Sequence, residues 1–498
     1  MQRTFECKTV PCCRELARQS KTIQEHFEFV VPDVNEDIGR ICFASAQLCL
    51  KGKEITSHGV ILSASADICV YYIGESRNCM QCVSTVRELS LDVDCQLPDC
   101  DVTAQTALSC RSIQIRAVNP RKIAAEMNVG VELCCYCADE TAACVTSPEE
   151  LPTGLQLLEK NAESILVSSA AEKPFVINEQ LTLPAEGAAA VRILQTRVEL
   201  RHTETQMIGS KALIKGLADL SLSYISEGAA YPSYYEKSVP FSALADADGE
   251  ESLIGDVTLQ PTAVYADLTE AANSEKIVGI ELRAVAELTF LKKQKIEYVC
   301  DAYSTRCPVE YETAKTRVCT GREEIHLRAS AREKFATDAG AGKILSRSAE
   351  VLSWSAKDGR LTASVSLSVA YLSEDGMISS LQKMISVETD EPSGGFETAF
   401  VSVAGIKADT ENGSVAADVE LDFALRRIEY ADITFLTSVE LEENDAYDTS
   451  QLPALTVVER TDNDLWLLAK EYHSSVEAIE RLDEELSHPP EILLIPRA

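Results

Sequence analysis

One pattern recurs three times along the 498 residues, and it sets the architecture before any local reading. Ile41-Cys42-Phe43-Ala44 and its continuation to 48 lead, after a polar turn, to Ile68-Cys69-Val70-Tyr71-Tyr72-Ile73-Gly74-Glu75. Residues 193–200 lead in the same way to Leu220-Ser221-Leu222-Ser223-Tyr224-Ile225-Ser226-Glu227, and Ile344-Leu345-Ser346 leads to Leu367-Ser368-Val369-Ala370-Tyr371-Leu372-Ser373-Glu374. The tyrosines stand 224 − 72 = 152 and 371 − 224 = 147 residues apart. Val31-Pro32 and Leu183-Pro184 open the first two copies. Three tandem units are expected, over 23–147, 165–310 and 322–440.

Within each copy the period is two. From Ala363 to Tyr371 apolar side chains alternate with serine, the signature of a half-buried antiparallel strand. Lys357-Asp358-Gly359 and Glu411-Asn412-Gly413 signal hairpin turns. Helical periodicity is confined to short segments such as 155–160 until residue 460. The expected fold class is mainly β: three tandem antiparallel β-sandwich or partly open barrel-like repeats, then a small β-α-α-β domain. An acidic, extended linker covers 441–453. Over 454–498, Leu455-Thr456-Val457-Val458 reads as a strand and Asp464 as the cap of a helix over 465–472. Ser475 reads as the cap of a second helix over 476–482, and Ile492-Leu493-Leu494-Ile495 as the closing strand.

A net charge of −33 argues against nucleic acid and bare anionic lipid, both of which need clustered Lys and Arg. Aromatics at 6% leave few stacking platforms for sugars or bases. The opening Met1-Gln2-Arg3-Thr4-Phe5-Glu6-Cys7-Lys8 has no export-signal core, and no apolar run reaches membrane-spanning length. The chain is expected to stay in the cytoplasm where it is made, without direct membrane insertion.

Fifteen of the 18 cysteines fall between Cys7 and Cys144; the others are Cys300, Cys307 and Cys319. Reduced cysteines packing as small hydrophobes are the favoured reading. Oxidative cross-links, or zinc around Cys79 and Cys82 or Cys134 and Cys137, are the alternatives. No cofactor and no catalytic residues are expected. His26, His58, His202, His326, His473 and His488 show no metal spacing, and the G-x-S-x-G nucleophile motif is missing. Gly340-Ala341-Gly342-Lys343 lacks the first glycine and the final Ser/Thr of a phosphate loop, so it reads as a turn. Glu442-Glu443 reads as solvated linker charge, the three repeat tyrosines as packing, and Trp466 as core.

The tail resembles the LysM family. Asp464-Leu465-Trp466, Ala469-Lys470-Glu471-Tyr472 and Leu494-Ile495-Pro496 carry that likeness. LysM domains generally bind N-acetylglucosamine polymers through two loops. Here those loops depart from the family, with Asp462-Asn463-Asp464 for Gly-Asp-Thr and Pro489-Pro490 for Pro-Gly, while Asp483 replaces an Asn. Proline at 490 donates no N–H and fixes φ, so that loop is not expected to present the same sugar-binding backbone.

The repeats resemble the SPOCS domain, formerly a domain of unknown function, of spore-coat proteins from anaerobic spore formers. The likeness rests on Leu183-Pro184, Ile193-Leu194, Tyr224-Ile225-Ser226-Glu227 with Val239-Pro240-Phe241, and Asn119-Pro120-Arg121-Lys122. Three repeats and one LysM together are similar to the SipL-like family of spore-coat morphogenetic proteins. That resemblance implies a non-enzymatic scaffold in the mother-cell cytosol, whose LysM domain docks a SpoIVA-type spore-coat ATPase at the forespore surface. Expected docking residues are Asp462, Asn463, Asp464, Leu465, Trp466, Leu482, Asp483, His488, Pro489 and Pro490. The alternative is a peptidoglycan-binding wall or cortex protein that uses its LysM on glycan.

Overall fold

The computed structural model describes residues 2–4, 6–76, 80–146, 151–183, 189–229, 231–247, 249, 252–270, 276–448, 453–459, 465–485 and 492–497. It is 80% strand and 4% helix, which settles the class as mainly β. A short strand β1 (Gln2–Thr4) precedes three units that share one order of elements. In the first, the long β2 (Glu6–Val30) leads to a meander of β3 (Ile38–Thr56), β4 (Gly59–Gly74) and β5 (Met80–Asp94), then to a hairpin of β6 (Val102–Asn119) and β7 (Lys122–Thr146). The second runs through β8 (Leu155–Thr182), the meander β9 (Ala190–Ile208), β10 (Lys211–Ser226) and β11 (Ser233–Asp246), and the hairpin β12 (Leu253–Glu270) and β13 (Lys276–Ser304). The third has β14 (Val309–Phe335), the meander β15 (Ala341–Lys357), β16 (Arg360–Ser373) and β17 (Ile378–Asp390), and the hairpin β18 (Glu397–Glu411) and β19 (Ser414–Leu441).

In each unit the long first strand returns to pair with the last: β2 with β7, β8 with β13, β14 with β19. The described sheets are open, so none closes as a barrel. Their pairing is antiparallel except for one parallel bridge between Glu297 of β13 and Cys144 of β7. Each meander shares an apolar core with its own long sheet; in the first unit Leu62, Ile68 and Tyr72 meet Ile123, Met127 and Val129. Local chemistry supports these elements. Asp358-Gly359 (φ 54 and 74) and Asn412-Gly413 (φ 52 and 71) take the left-handed conformations of a two-residue type I′ turn. They close the pairs Lys357–Arg360 and Glu411–Ser414 as expected. Residues 155–160, compatible with a helix by sequence, are instead strand, because all of them pair along β13.

The units meet at a common hub. Ile41, Ile193 and Ile344 lie opposite Tyr72, Tyr224 and Tyr371, and beside each pair the register slips at Cys42, Leu194 and Leu345. A bulge re-aims its side chain, and these three residues enter one apolar cluster with Tyr71, Tyr234 and Ala370. Tyr71 stacks on Phe43 at 4.4 Å, and its hydroxyl lies 2.6 Å from Ser223 Oγ. Cys69 and Cys82, diagonal neighbours across β4 and β5, form a disulfide there, which corrects the reduced-thiol expectation for that pair.

A second hub is built of charges. Asp256 of β12 meets Arg322 at 2.7 Å and Arg426 from the third unit, with Arg18 of the first at 3.4 Å. Burial works to raise its carboxyl, but Arg322 and Arg426 outweigh that and hold it at about 2. The fully buried Glu287 of β13 meets Lys53 Nζ at 2.5 Å and accepts the Thr106 N–H from the first unit. The units are therefore interlocked and do not behave as beads on a string.

Beyond the meanders the long strands continue as arms. Ile296, Val318 and Ile433 pack the second arm against the third, and β1 pairs onto β19. Among the described residues no helix is long and apolar enough to cross a membrane.

Candidate functional site at the C-terminus

The described part of the tail is a two-stranded antiparallel sheet, β20 (Leu455–Glu459) with β21 (Ile492–Pro496), and two helices between them, α1 (Leu465–Glu471) and α2 (Val476–Glu485). Ser475 Oγ accepts the Ala478 N–H at 3.3 Å, the capping role its position suggested, and α2 extends past residue 482 to Glu485. His473, at φ 53, takes the left-handed turn after α1. The acidic stretch before the module is not freely extended. Glu443–Asp445 form one 3-10 turn, the Tyr447 N–H bonds Arg306 O at 2.8 Å, and the Tyr447 ring lies 4.0 Å from that of His473.

Trp466, Leu468, Ala469, Ile479, Leu493 and Ile495 make the module's core, which Tyr303 of β13 completes from outside. Tyr303 meets Trp466 edge-on at 4.7 Å and donates its hydroxyl to Ser474 O at 2.8 Å. Trp466 Nε1 donates to Asp301 Oδ2 at 2.8 Å, and Lys470 Nζ lies 2.7 Å from Asp301 Oδ1. Burial works to raise the Asp301 carboxyl, but the hydrogen bonds from Lys470 and Trp466 outweigh it and hold it below the ordinary range. Burial also pushes the Tyr303 phenol up to about 12. The module is thus seated on the end of the second unit's arm. Sequence reading missed Asp301 and Tyr303, because no spacing marks residues some 160 positions from the helix they hold.

Of the expected docking residues, Asp462, Asn463, Asp464, His488, Pro489 and Pro490 lie outside the described residues. Trp466 is buried, so its ring is turned to the core and to Asp301 rather than to solvent. Leu465, Leu482 and Asp483 are half-buried. The outward apolar residues are Leu467, 58% exposed, and Val457 and Leu455 on β20. Leu467 was detectable in the sequence as the apolar residue off the inward stripe of Trp466, Leu468 and Ala469. A cleft of about 340 Å³ lies between the linker and the module, lined by Tyr447, Glu471, Tyr472, His473 and Arg497 among others.

Chemistry elsewhere is sparse. Among the described residues no group of three or more His, Cys, Asp or Glu is placed to hold a metal ion. On β9, Thr205 Oγ1 lies 2.5 Å from His202 Nε2, with His202 exposed. His326 spends its own Nδ1 on Asp422, at 3.1 Å.

No protein-family model, curated protein or solved structure matches the chain.

Proposed function

We propose that the protein is a docking scaffold without enzymatic activity. Within that class it is a SipL-like organiser of the spore coat and envelope, working in the mother-cell cytosol at the forespore surface. Its units act as SPOCS-like domains of sandwich type, and its tail acts as a LysM-like module that docks a SpoIVA-type coat ATPase. The observation that carries this reading is how the tail is held. Its tryptophan is committed inward to Asp301 and Tyr303, while Leu467 on the same helix is left outward. A module fixed to a rigid body through one face and apolar on another has the form of an adaptor.

Retention of the full chain and of its Leu467→Asp variant on immobilised ATPase tests the proposal. Retention of the parent at micromolar concentration, reduced at least tenfold by the variant, supports it. Micromolar binding to N-acetylglucosamine oligomers with no retention on the ATPase would transfer the reading to a glycan-binding wall protein.

A further inference from the structure

The last strand of each arm pairs along its length with the arm's first strand, and past its hairpin partner its other edge is uncovered. In β7 and β13 those edges, beyond Cys137 and Leu291, meet each other at the Cys144–Glu297 bridge. β19 differs. On the edge away from β14 it pairs with β18 up to Arg426 and with β1 from Ser438 to Glu440. Among the described residues no strand pairs that edge between them, over 427–437. The row beside β19 is occupied at both ends and open in the middle. Sheets commonly defend open edges with Lys and Pro. The strands that flank the arms carry them: Lys8, Pro11 and Lys21 on β2, Lys160, Lys173 and Pro174 on β8, Lys315 and Lys334 on β14. The uncovered edge of β13 carries Lys292, Lys293 and Lys295. In β19 the stretch Ile428-Glu429-Tyr430-Ala431-Asp432-Ile433-Thr434-Phe435-Leu436-Thr437 holds no Lys, Arg, Pro or Gly, and is rich in strand-forming residues.

We propose that this gap is a strand-docking site for an extended, basic segment of another protein. The segment runs antiparallel to β19, as β1 and β18 do, and is up to about ten residues or ~33 Å long. Alternate residues of 428–437 direct their N–H and C=O away from β14, and the added strand satisfies them as β1 does at the end of the same row.

Side-chain alternation fixes what the segment carries. Ala431, Ile433 and Phe435 enter the apolar packing between the second and third arms, so one set of the segment's side chains is apolar. Tyr430, 51% exposed, and the exposed Asp432 lie on the opposite face. There Arg427 is engaged by Glu323 at 2.8 Å and Glu429 at 3.3 Å, and the Arg317 guanidinium sits over the Tyr430 ring at 4.4 Å. Among the described residues Asp432 has no ion pair, and the chain as a whole carries −33, so the other set is Lys or Arg. A second copy of this chain is the poorer occupant, because pairing two such edges brings both copies of Glu429 and Asp432 together and adds no cation.

The test uses the full chain, residue-resolved hydrogen exchange, and a decapeptide of alternating Val and Lys as the probe. In the free chain, amides within 428–437 should exchange faster than those within 414–426, which β18 covers on the same strand. The peptide should bind saturably at micromolar concentration and slow exchange over 428–437. Asp432→Asn should weaken it severalfold, and the same peptide N-methylated at alternate residues, equal in charge but short of N–H donors, should not bind. Full protection of 428–437 in the free chain, no saturable binding of the peptide, equal binding of its N-methylated form, or a dimer of the chain protected at this edge would each overturn the assignment.

Discussion

The charged hub of the three units and the seat of the C-terminal module are both built on a half-buried carboxylate, yet they are secured very differently. At the charged hub, Asp256 is shared by arginines from two other units. At the seat, Asp301 accepts from Lys470, the Trp466 indole N–H and the Tyr311 hydroxyl, and Tyr303 with Leu158 supplies the apolar contact. Removing one hub partner strands charge inside the body, whereas removing a seat partner loosens only what sits on it.

The largest effect should come from the hub. Arg426→Ala leaves Asp256 with less compensation, and breaking such a buried pair costs about 3–5 kcal/mol. Urea unfolding should show that loss across the whole body, and a change below ~1 kcal/mol would erase the contrast between the two regions.

Smaller, and opposite in pH sense, is Glu350 in β15, whose carboxyl burial raises to about 7 against the opposing pull of Arg197. A raised folded pKa means that its contribution is whole below the unfolded value near 4.5 and is lost as pH rises through 7. Glu350→Gln should therefore gain about 2 kcal/mol at pH 8 and nothing at pH 4, read from denaturation midpoints. Asp256 has the depressed pKa, so its contribution is present above about 3.8 and is lost as pH falls towards about 2. Stability of the body should be greatest between these windows, in mildly acidic solution.

At the seat, Asp301→Asn weakens the charge-assisted bonds to Lys470 and Trp466, an expected local loss of about 1–2 kcal/mol. Faster proteolysis after residue 448 and a shift in Trp466 emission, with the main unfolding transition unmoved, would show that the loosening is confined to the module. Acid should produce a similar release, since the Asp301 contribution is lost as pH falls through its lowered pKa. The smallest change in stability belongs to Leu467→Ala, within about 0.5 kcal/mol because the side chain is exposed. Its consequence should appear in partner binding alone.

Much of the body could be read from the chain because its signals are local. The period of two in 363–371, the Asp-Gly and Asn-Gly turns, and the recurrence of Tyr72, Tyr224 and Tyr371 each depend on neighbours in sequence. The hub could not be read, because Asp256 looks like any surface aspartate until Arg18, Arg322 and Arg426 close around it from other units. Trp466 shows the same limit. Its helix was visible from periodicity, but the carboxylate that fixes its indole lies on another domain's strand. Residues 155–160 failed for a related reason, since pairing along an entire arm overrides a short stretch of helix-compatible sequence.

The most direct test of the account is calorimetric titration of a SpoIVA-type coat ATPase into the full chain and into a chain ending at residue 448. Saturable heat from the full chain, with none from the shortened one while its body still unfolds cooperatively, is the predicted result. Equal affinity of the two chains for the ATPase would contradict it, moving the docking surface from the module to the platform.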